Sequence, residues 1–337
     1  MAKRRYSKSK IQPAVQTFLF NSPTIPAKSG SVPGTDSFYI DLSQCASLMN
    51  RRFYRQGINW AVSSIKIMGS GFTGSIIVNK LPNTWIMSNA WEKSFRAWQE
   101  MIKNATDESG AQSIKGKFLD FKIYANAQHH SDGFGANLVP LDSANNTATL
   151  GQWQPAEITI PSTTGSPGSA TDYELIAVGP NDPGAGSSGK DAKSIIQGYA
   201  DSRALPAETD PNVPTDASLN WMVAMFNDGN LQDNAVIGML EVTGDEAPYP
   251  YEGDGTHTDT MYPGGESNLP GLQVHDYEFI TSTTIGGTTR LRGGNFPCGL
   301  MEIFAINQES TDQNLQIQID LVPGSHRGYL CEPMTEM

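Results

Sequence analysis

Short stretches of alternating apolar and polar residues, broken by glycine and proline, recur through the chain and limit it to an architecture built from strands. The clearest is Leu315–Leu321, where Leu315, Ile317, Ile319 and Leu321 fall on one face and Gln316, Gln318 and Asp320 on the other. That period of two is the signature of a half-buried strand. Further strand-like runs are Trp60–Met68, Phe72–Val78, Phe118–Tyr124, Glu157–Ile160, Tyr173–Val178, Trp221–Phe226, Val236–Val242, Asp276–Thr281 and Gly299–Ile306. The 33 Gly and 21 Pro, with only 17% charged residues, argue against long helices and coiled coils.

Two segments break the pattern. Ser43–Arg51 is compatible with a short helix, and Trp91, Phe95, Trp98 and Ile102 recur at helical spacing behind a cap at Ser88 or Asn89. The aromatic stripe of the second reads as a face packed on a sheet edge. Long Gly/Ser/Thr/Asp/Pro loops are expected at 128–153, 161–171, 179–218 and 244–272. No regular strand–helix alternation is present, so a β-sandwich or jelly roll is the expected fold. The domain reading is an N-terminal arm over 1–35, a β body over 36–322 and a C-terminal tail over 323–337.

Charge is distributed unevenly. Residues 1–123 hold 17 Lys and Arg against 7 Asp and Glu, whereas residues 124–337 hold 6 against 28. Such asymmetry points to a polyanion on one side of the molecule. The arm opens with Lys3, Arg4, Arg5, Lys8 and Lys10 and no acid. A second basic element is Arg51-Arg52-Phe53-Tyr54-Arg55, with Lys66 and Lys80 beyond it, inside a stretch, 42–91, that contains no Asp or Glu. Three arginines with two interleaved aromatics suit phosphate neutralisation and stacking on unpaired bases. Lys3, Arg4, Arg5, Lys8, Lys10, Arg51, Arg52, Arg55 and Lys66 are therefore the candidate residues for sequence-independent binding of single-stranded nucleic acid.

Catalytic signals are weak by comparison. Gly184–Asp191 approaches a phosphate-binding loop, but Asp191 stands where Ser or Thr should follow Lys190. His129-His130-Ser131-Asp132 carries metal-ligand types, yet on a strand adjacent side chains diverge. Glu252–Asp259 is oxygen-rich but lacks the spacing of a calcium loop. There is no G-x-S-x-G or H-E-x-x-H, and Cys45, Cys298 and Cys331 have no evident activating partner. No enzyme activity, metal site or cofactor is expected. The longest apolar run, Trp221–Phe226, is far short of a membrane span, and no secretory signal is expected behind the basic start.

Four segments carry a family resemblance: Met1–Tyr6, Asn50–Gly57, Phe296–Leu300, and Pro323–Leu330 followed by Pro333-Met334. Together they resemble the capsid proteins of small circular single-stranded DNA viruses that encode a replication initiator, the CRESS-DNA viruses. The likeness covers both ends and part of the middle. It implies an antiparallel jelly-roll β-sandwich with long loops and one or two short helices. It also implies self-assembly into an icosahedral shell of about 60 subunits and packaging of circular single-stranded DNA by the arm. A place in the virion, with passage through the host nucleus during assembly, follows from the same resemblance. The arm departs from the long arginine runs of many relatives, so that either Arg51, Arg52, Arg55 and Lys66 face the interior or cations do much of the neutralising. The loop at 244–272 is expected to project outward toward a receptor. Two other readings remain: a carbohydrate-binding or carbohydrate-active β-sandwich with Trp85, Trp91, Trp98 and Trp153 as sugar platforms, and a non-viral nucleic-acid-binding β protein.

Overall fold

Along the chain the elements are β1 (Thr17–Asn21), β2 (Gly34–Asp41), α1 (Leu42–Asn50), β3 (Ile58–Met68), β4 (Gly74–Lys80), α2 (Trp85–Glu108) and α3 (Ala127–Asp132). They continue with β5 (Glu157–Pro161), β6 (Ala170–Ile176), β7 (Asp191–Ser194), α4 (Ile195–Asp201), β8 (Gln273–Ile280), β9 (Thr288–Phe296) and β10 (Leu300–Asn307). The last are β11 (Gln316–Leu321), β12 (Pro323–Gly324), β13 (Gly328–Tyr329) and β14 (Cys331–Pro333). This computed structural model describes residues 14–69, 71–110, 120–161, 170–201, 221–222, 271–281 and 287–336. They divide into two units, one from residues up to Lys80, Ala136–Trp153 and Gln273–Glu336, the other from Leu81–Gly135 and Gln154–Leu272.

The first unit is an antiparallel β-sandwich. One sheet runs β1-β11-β3-β9, with β14 continuing along β3 beyond β11; the other runs β2-β10-β4-β8. The alternation seen in the sequence becomes burial. Phe18 and Phe20 of β1, Ile317 and Ile319 of β11, and Ile65 and Ile67 of β3 share one core with Phe38, Ile40, Ile76, Val78, Met301 and Ile303 of the other sheet. Each such side chain contributes about 1.5–3 kcal/mol of burial free energy.

β3 changes face part way along. Trp60 and Val62 are buried, then Ile65 and Ile67, while Ser64, Lys66 and Met68 turn outward. The swap sits at a bulge, where Val62 pairs with Leu321 but Ser64, two residues on, pairs with the adjacent Asp320.

Asp41 ends β2 and caps α1. Its carboxylate accepts from the amides of Ser43 (2.8 Å) and Gln44 (3.2 Å), from Gln56 Nε2 (3.1 Å) and from Trp153 Nε1 (2.9 Å). Burial pushes this carboxyl up to about 6, against the pull of those four donors.

The second unit is described by itself. α2, capped by Thr84, runs 24 residues, and its Trp91, Phe95 and Trp98 pack on Phe121. Three short strands form a mixed sheet, β5-β6-β7, with β6 and β7 parallel.

Several expectations change. The arm does not extend to residue 35, because Thr17–Asn21 is a sheet strand bonded to β11. The tail over 323–337 is not an appendage, since β14 pairs with Ile58–Trp60. One body over 36–322 becomes two units, and the helix expected behind Ser88 or Asn89 is not short but runs 24 residues, while the short helix expected at 43–51 forms as α1. Of Phe118–Tyr124, the described part from Asp120 is not a strand and makes isolated backbone bonds only, such as Tyr124 N–H to Leu175 O at 2.9 Å. Trp221 and Met222 are helical rather than extended. The rest of that run, Val236–Val242 and the 244–272 loop up to Pro270 lie outside the described residues.

Two measurements check this core. Ile319→Ala should cost about 2–5 kcal/mol in denaturant unfolding, while Gln316→Ala on the outer face should stay within about 0.5 kcal/mol. Asp41 carries the opposite sign to most carboxylates. Its folded pKa is raised from 3.8 to about 6, so the folded state holds the proton more tightly. Its contribution to stability therefore falls as pH rises from about 4 to 6, by an amount on the order of 3 kcal/mol. Urea midpoints across that window should show the fall in the native chain and a flattened profile in Asp41→Asn.

Candidate nucleic-acid interface

The candidate site is built at the C-terminal end of α1. Asn50, its last residue, donates to Ala46 O (2.9 Å) and to the Tyr329 hydroxyl (2.7 Å), while its Oδ1 accepts from the amide of Val15 (3.0 Å). Tyr329 in turn donates from its hydroxyl to Val15 O at 2.5 Å, and Gln16 Nε2 donates to Gly328 O at 3.0 Å. Val15 and Gln16 are thus held from two sides just before β1 begins. Val15 is fixed against Asn50, the residue that precedes Arg51 and Arg52.

Arg51 closes α1 in the left-handed conformation, φ 53°. That turn directs the chain into Arg52–Arg55, where Arg51, Arg52 and Arg55 are exposed, Phe53 is half-buried and Tyr54 is buried. No ion pair is recorded for Arg51 or Arg55 among the described residues. The Tyr54 ring lies 5.9 Å from Trp60 and 5.5 Å from Tyr329, and its hydroxyl donates to Arg327 O at 3.1 Å. Burial pushes the Tyr54 hydroxyl up, and the charges of Arg52 and Arg327 pull it partly back. Tyr54 is therefore a packing residue, and the expectation that it stacks on bases is corrected. The exposed charge around it is carried by Arg51, Arg52 and Arg55.

Arg327 is a member that sequence reasoning missed. Its guanidinium donates to Phe53 O and sits 6.0 Å from the Tyr54 ring centroid, which brings a fourth cation to the cluster. A lone arginine in a glycine-flanked tail gave no signal until the tail folded onto β3.

Lys66 stands apart, about 20 Å along β3 from Trp60 at the usual rise per residue. Its Nζ is 3.0 Å from Asp320 Oδ2. Asp320 also accepts from Thr17 Oγ1 (2.8 Å), Ser64 Oγ (2.9 Å) and Gln318 Nε2 (2.8 Å). Burial raises this carboxyl, but the four donors outweigh it and hold it at about 2. Lys3, Arg4, Arg5, Lys8 and Lys10 lie outside the described residues.

The remaining motifs take structural roles. His129 and His130 are buried on α3; His129 Nδ1 accepts from Ala125 N–H (3.0 Å) and His130 Nε2 lies 3.0 Å from Glu174 Oε2. No group of three or more potential metal ligands occurs among the described residues. In the Gly184–Asp191 loop, Asp191 accepts from the amide of Gly184 (3.0 Å), and Gly186 packs so closely on His130 that a Cβ would meet the ring at 2.6 Å. That loop folds on its own carboxylate. Burial drives the thiols of Cys45 and Cys298 well up and that of Cys331 to about 12. Trp91, Trp98 and Trp153 are buried, which removes three of the four candidate sugar platforms. No described helix is long and apolar enough to cross a membrane. Comparison of the chain with known protein families, with curated proteins and with solved structures finds no match.

Asn50→Ala removes the bonds that hold the start of β1. The expected outcome is a loss of about 1–3 kcal/mol together with faster hydrogen exchange at the Val15 amide. Exchange at Ile317 and Ile319 should change only by the global destabilisation.

Proposed function

We propose that the chain is the structural subunit of a single-stranded DNA virus capsid, of the kind its sequence resembles, and that the first unit is its jelly roll. The observation that carries the reading is the strand order. Counting only the eight long strands of the sandwich, the sheets run first-eighth-third-sixth and second-seventh-fourth-fifth. An eight-stranded double sheet built from two Greek keys is the arrangement of viral capsid jelly rolls, and also of lectin and cupin domains.

The position of the basic cluster favours the capsid over the lectin. Val15 is bonded to Asn50, the residue before Arg51, so the chain that carries the N-terminal cations is joined to the fold next to the Arg51, Arg52, Arg55 and Arg327 cluster. Self-association through loops and sheet edges would then close a shell of about 60 copies, with the arms and cluster on the genome. The proposed role is structural, in the virion, with no catalytic step and no cofactor.

Negative-stain electron microscopy of the purified full chain, with the absorbance ratio at 260 and 280 nm read on the same fraction, tests this. Uniform closed shells with an elevated ratio are the expected result. A monodisperse monomer or dimer across salt concentrations would overturn the reading.

A further inference from the structure

We propose that the outer face of the β1-β11-β3-β9 sheet carries a second phosphate-binding strip, formed by Arg290, Arg292 and Lys66, that takes the backbone of single-stranded nucleic acid. The inference rests on the nucleic-acid reading above and adds a surface to it.

The strip follows from register. Arg290 lies directly opposite Lys66, and Arg292 opposite Ser64. On the far side of β3, Lys66 is opposite Gln318 and Ser64 is opposite Asp320. Arg290 and Arg292, two residues apart on one strand, share a face and are about 7 Å apart along it. Both are exposed, and no ion pair is recorded for either among the described residues. Two acids lie beside them: Asp320, whose carboxylate is taken by Lys66, Gln318, Thr17 and Ser64, and Asp276, whose carboxylate accepts from the backbone amides of Tyr277 and Arg292.

The arrangement is unfavourable for the fold alone. Like charges directly opposite in an antiparallel pair cost roughly 0.2–1 kcal/mol relative to a neutral pair. Asp320 pairs with Lys66 and Asp276 accepts from backbone amides, and among the described residues neither acid forms an ion pair with Arg290 or Arg292. A local conflict of this sort marks a place where function overrides folding. An anion laid along the strip would remove it, and a polyanion extended along β9 meets two guanidiniums in succession.

The backbone holds the strip in place. Arg292 N–H donates to Asp276 Oδ2 (2.8 Å), and Arg292 O lies 3.0 Å from His275 Nε2. Gly293, the next residue, faces the β3 bulge so closely that a Cβ would meet the carbonyl oxygens of Val62 and Ser63 at 2.3 Å. The bulge turns Lys66 outward, and the glycine lets β9 follow it, so that Arg290 and Arg292 emerge on the same face.

The test is titration of the full-length chain with a labelled oligothymidylate over a range of salt. Each single-strand phosphate contact contributes about 0.7 to the slope of log K against log salt. Arg290→Gln with Arg292→Gln should therefore flatten the slope by about 1.4, and the paired Arg→Lys variant should restore it. Lys28→Gln, an exposed charge elsewhere on the same unit, should leave it unchanged. An unaltered slope in the double Gln variant, or an equal loss per charge from Lys28→Gln, would overturn the strip. On the native chain, which needs no variant to fold, phenylglyoxal should modify Arg290 and Arg292 more slowly when the oligonucleotide is bound. Equal rates with and without it overturn the proposal. A native chain that neither binds the oligonucleotide nor forms shells overturns the reading of function itself, whereas binding insensitive to both arginines removes only the strip.

Discussion

The hydrogen bonding of β3 along both its edges is the constraint on which the first unit depends. β9 takes one edge, and β11 followed by β14 takes the other. Through β11 it also anchors β1, so the segment just after the arm and the last strand of the chain are both referred to one central element. The bulge at Val62–Ser64 makes this strand serve two environments. With uninterrupted alternation from Trp60, Lys66 would point into the core and Ile65 and Ile67 into water. One unpaired residue reverses this.

Around the start of β3 the polar groups form a connected set. Asp41 gathers Ser43, Gln44, Gln56 and Trp153, while Ser43 Oγ accepts from Trp60 Nε1 and donates to Arg55 O. A buried carboxylate is costly unless its oxygens are occupied, and here they are. The return is definition rather than net stability. The loop that carries Arg51, Arg52 and Arg55 is tied at Ser43 on one side and at Asn50 on the other, so its cations start from fixed backbone positions.

How much was legible in the sequence depended on whether burial followed a simple period. Leu315–Leu321 has both faces written in residue type, and it is a strand with the faces as read. Thr17–Asn21 has the same alternation, but Leu19 faces outward and the prolines at 23, 26 and 33 made the segment look like an arm. Phe118–Tyr124 alternates as well, yet Lys122 is buried against Gln154 O, and among the described residues only an isolated bridge, Tyr124 with Ile176, joins it to a strand. The capping position of α2 was displaced because Trp85 to Ala90 have no strong helix period of their own; Thr84 caps a turn that packing extends. In the candidate site, Arg51, Arg52 and Arg55 were readable from local clustering. Arg327 was not, because its membership is set by a contact spanning 274 residues of chain.

The anchoring of Val15 has a kinetic meaning. Covalent geometry alone keeps Met1 within roughly 45 Å of that point. The five cations at Lys3, Arg4, Arg5, Lys8 and Lys10 are therefore tethered to the arginines beside Asn50. For a polyanion already held at those arginines, the arm is a second ligand at a local concentration in the millimolar range. On the proposed nucleic-acid reading, binding through the pair of elements behaves as avidity: the first contact is weak and salt-labile, and release requires both to let go at once.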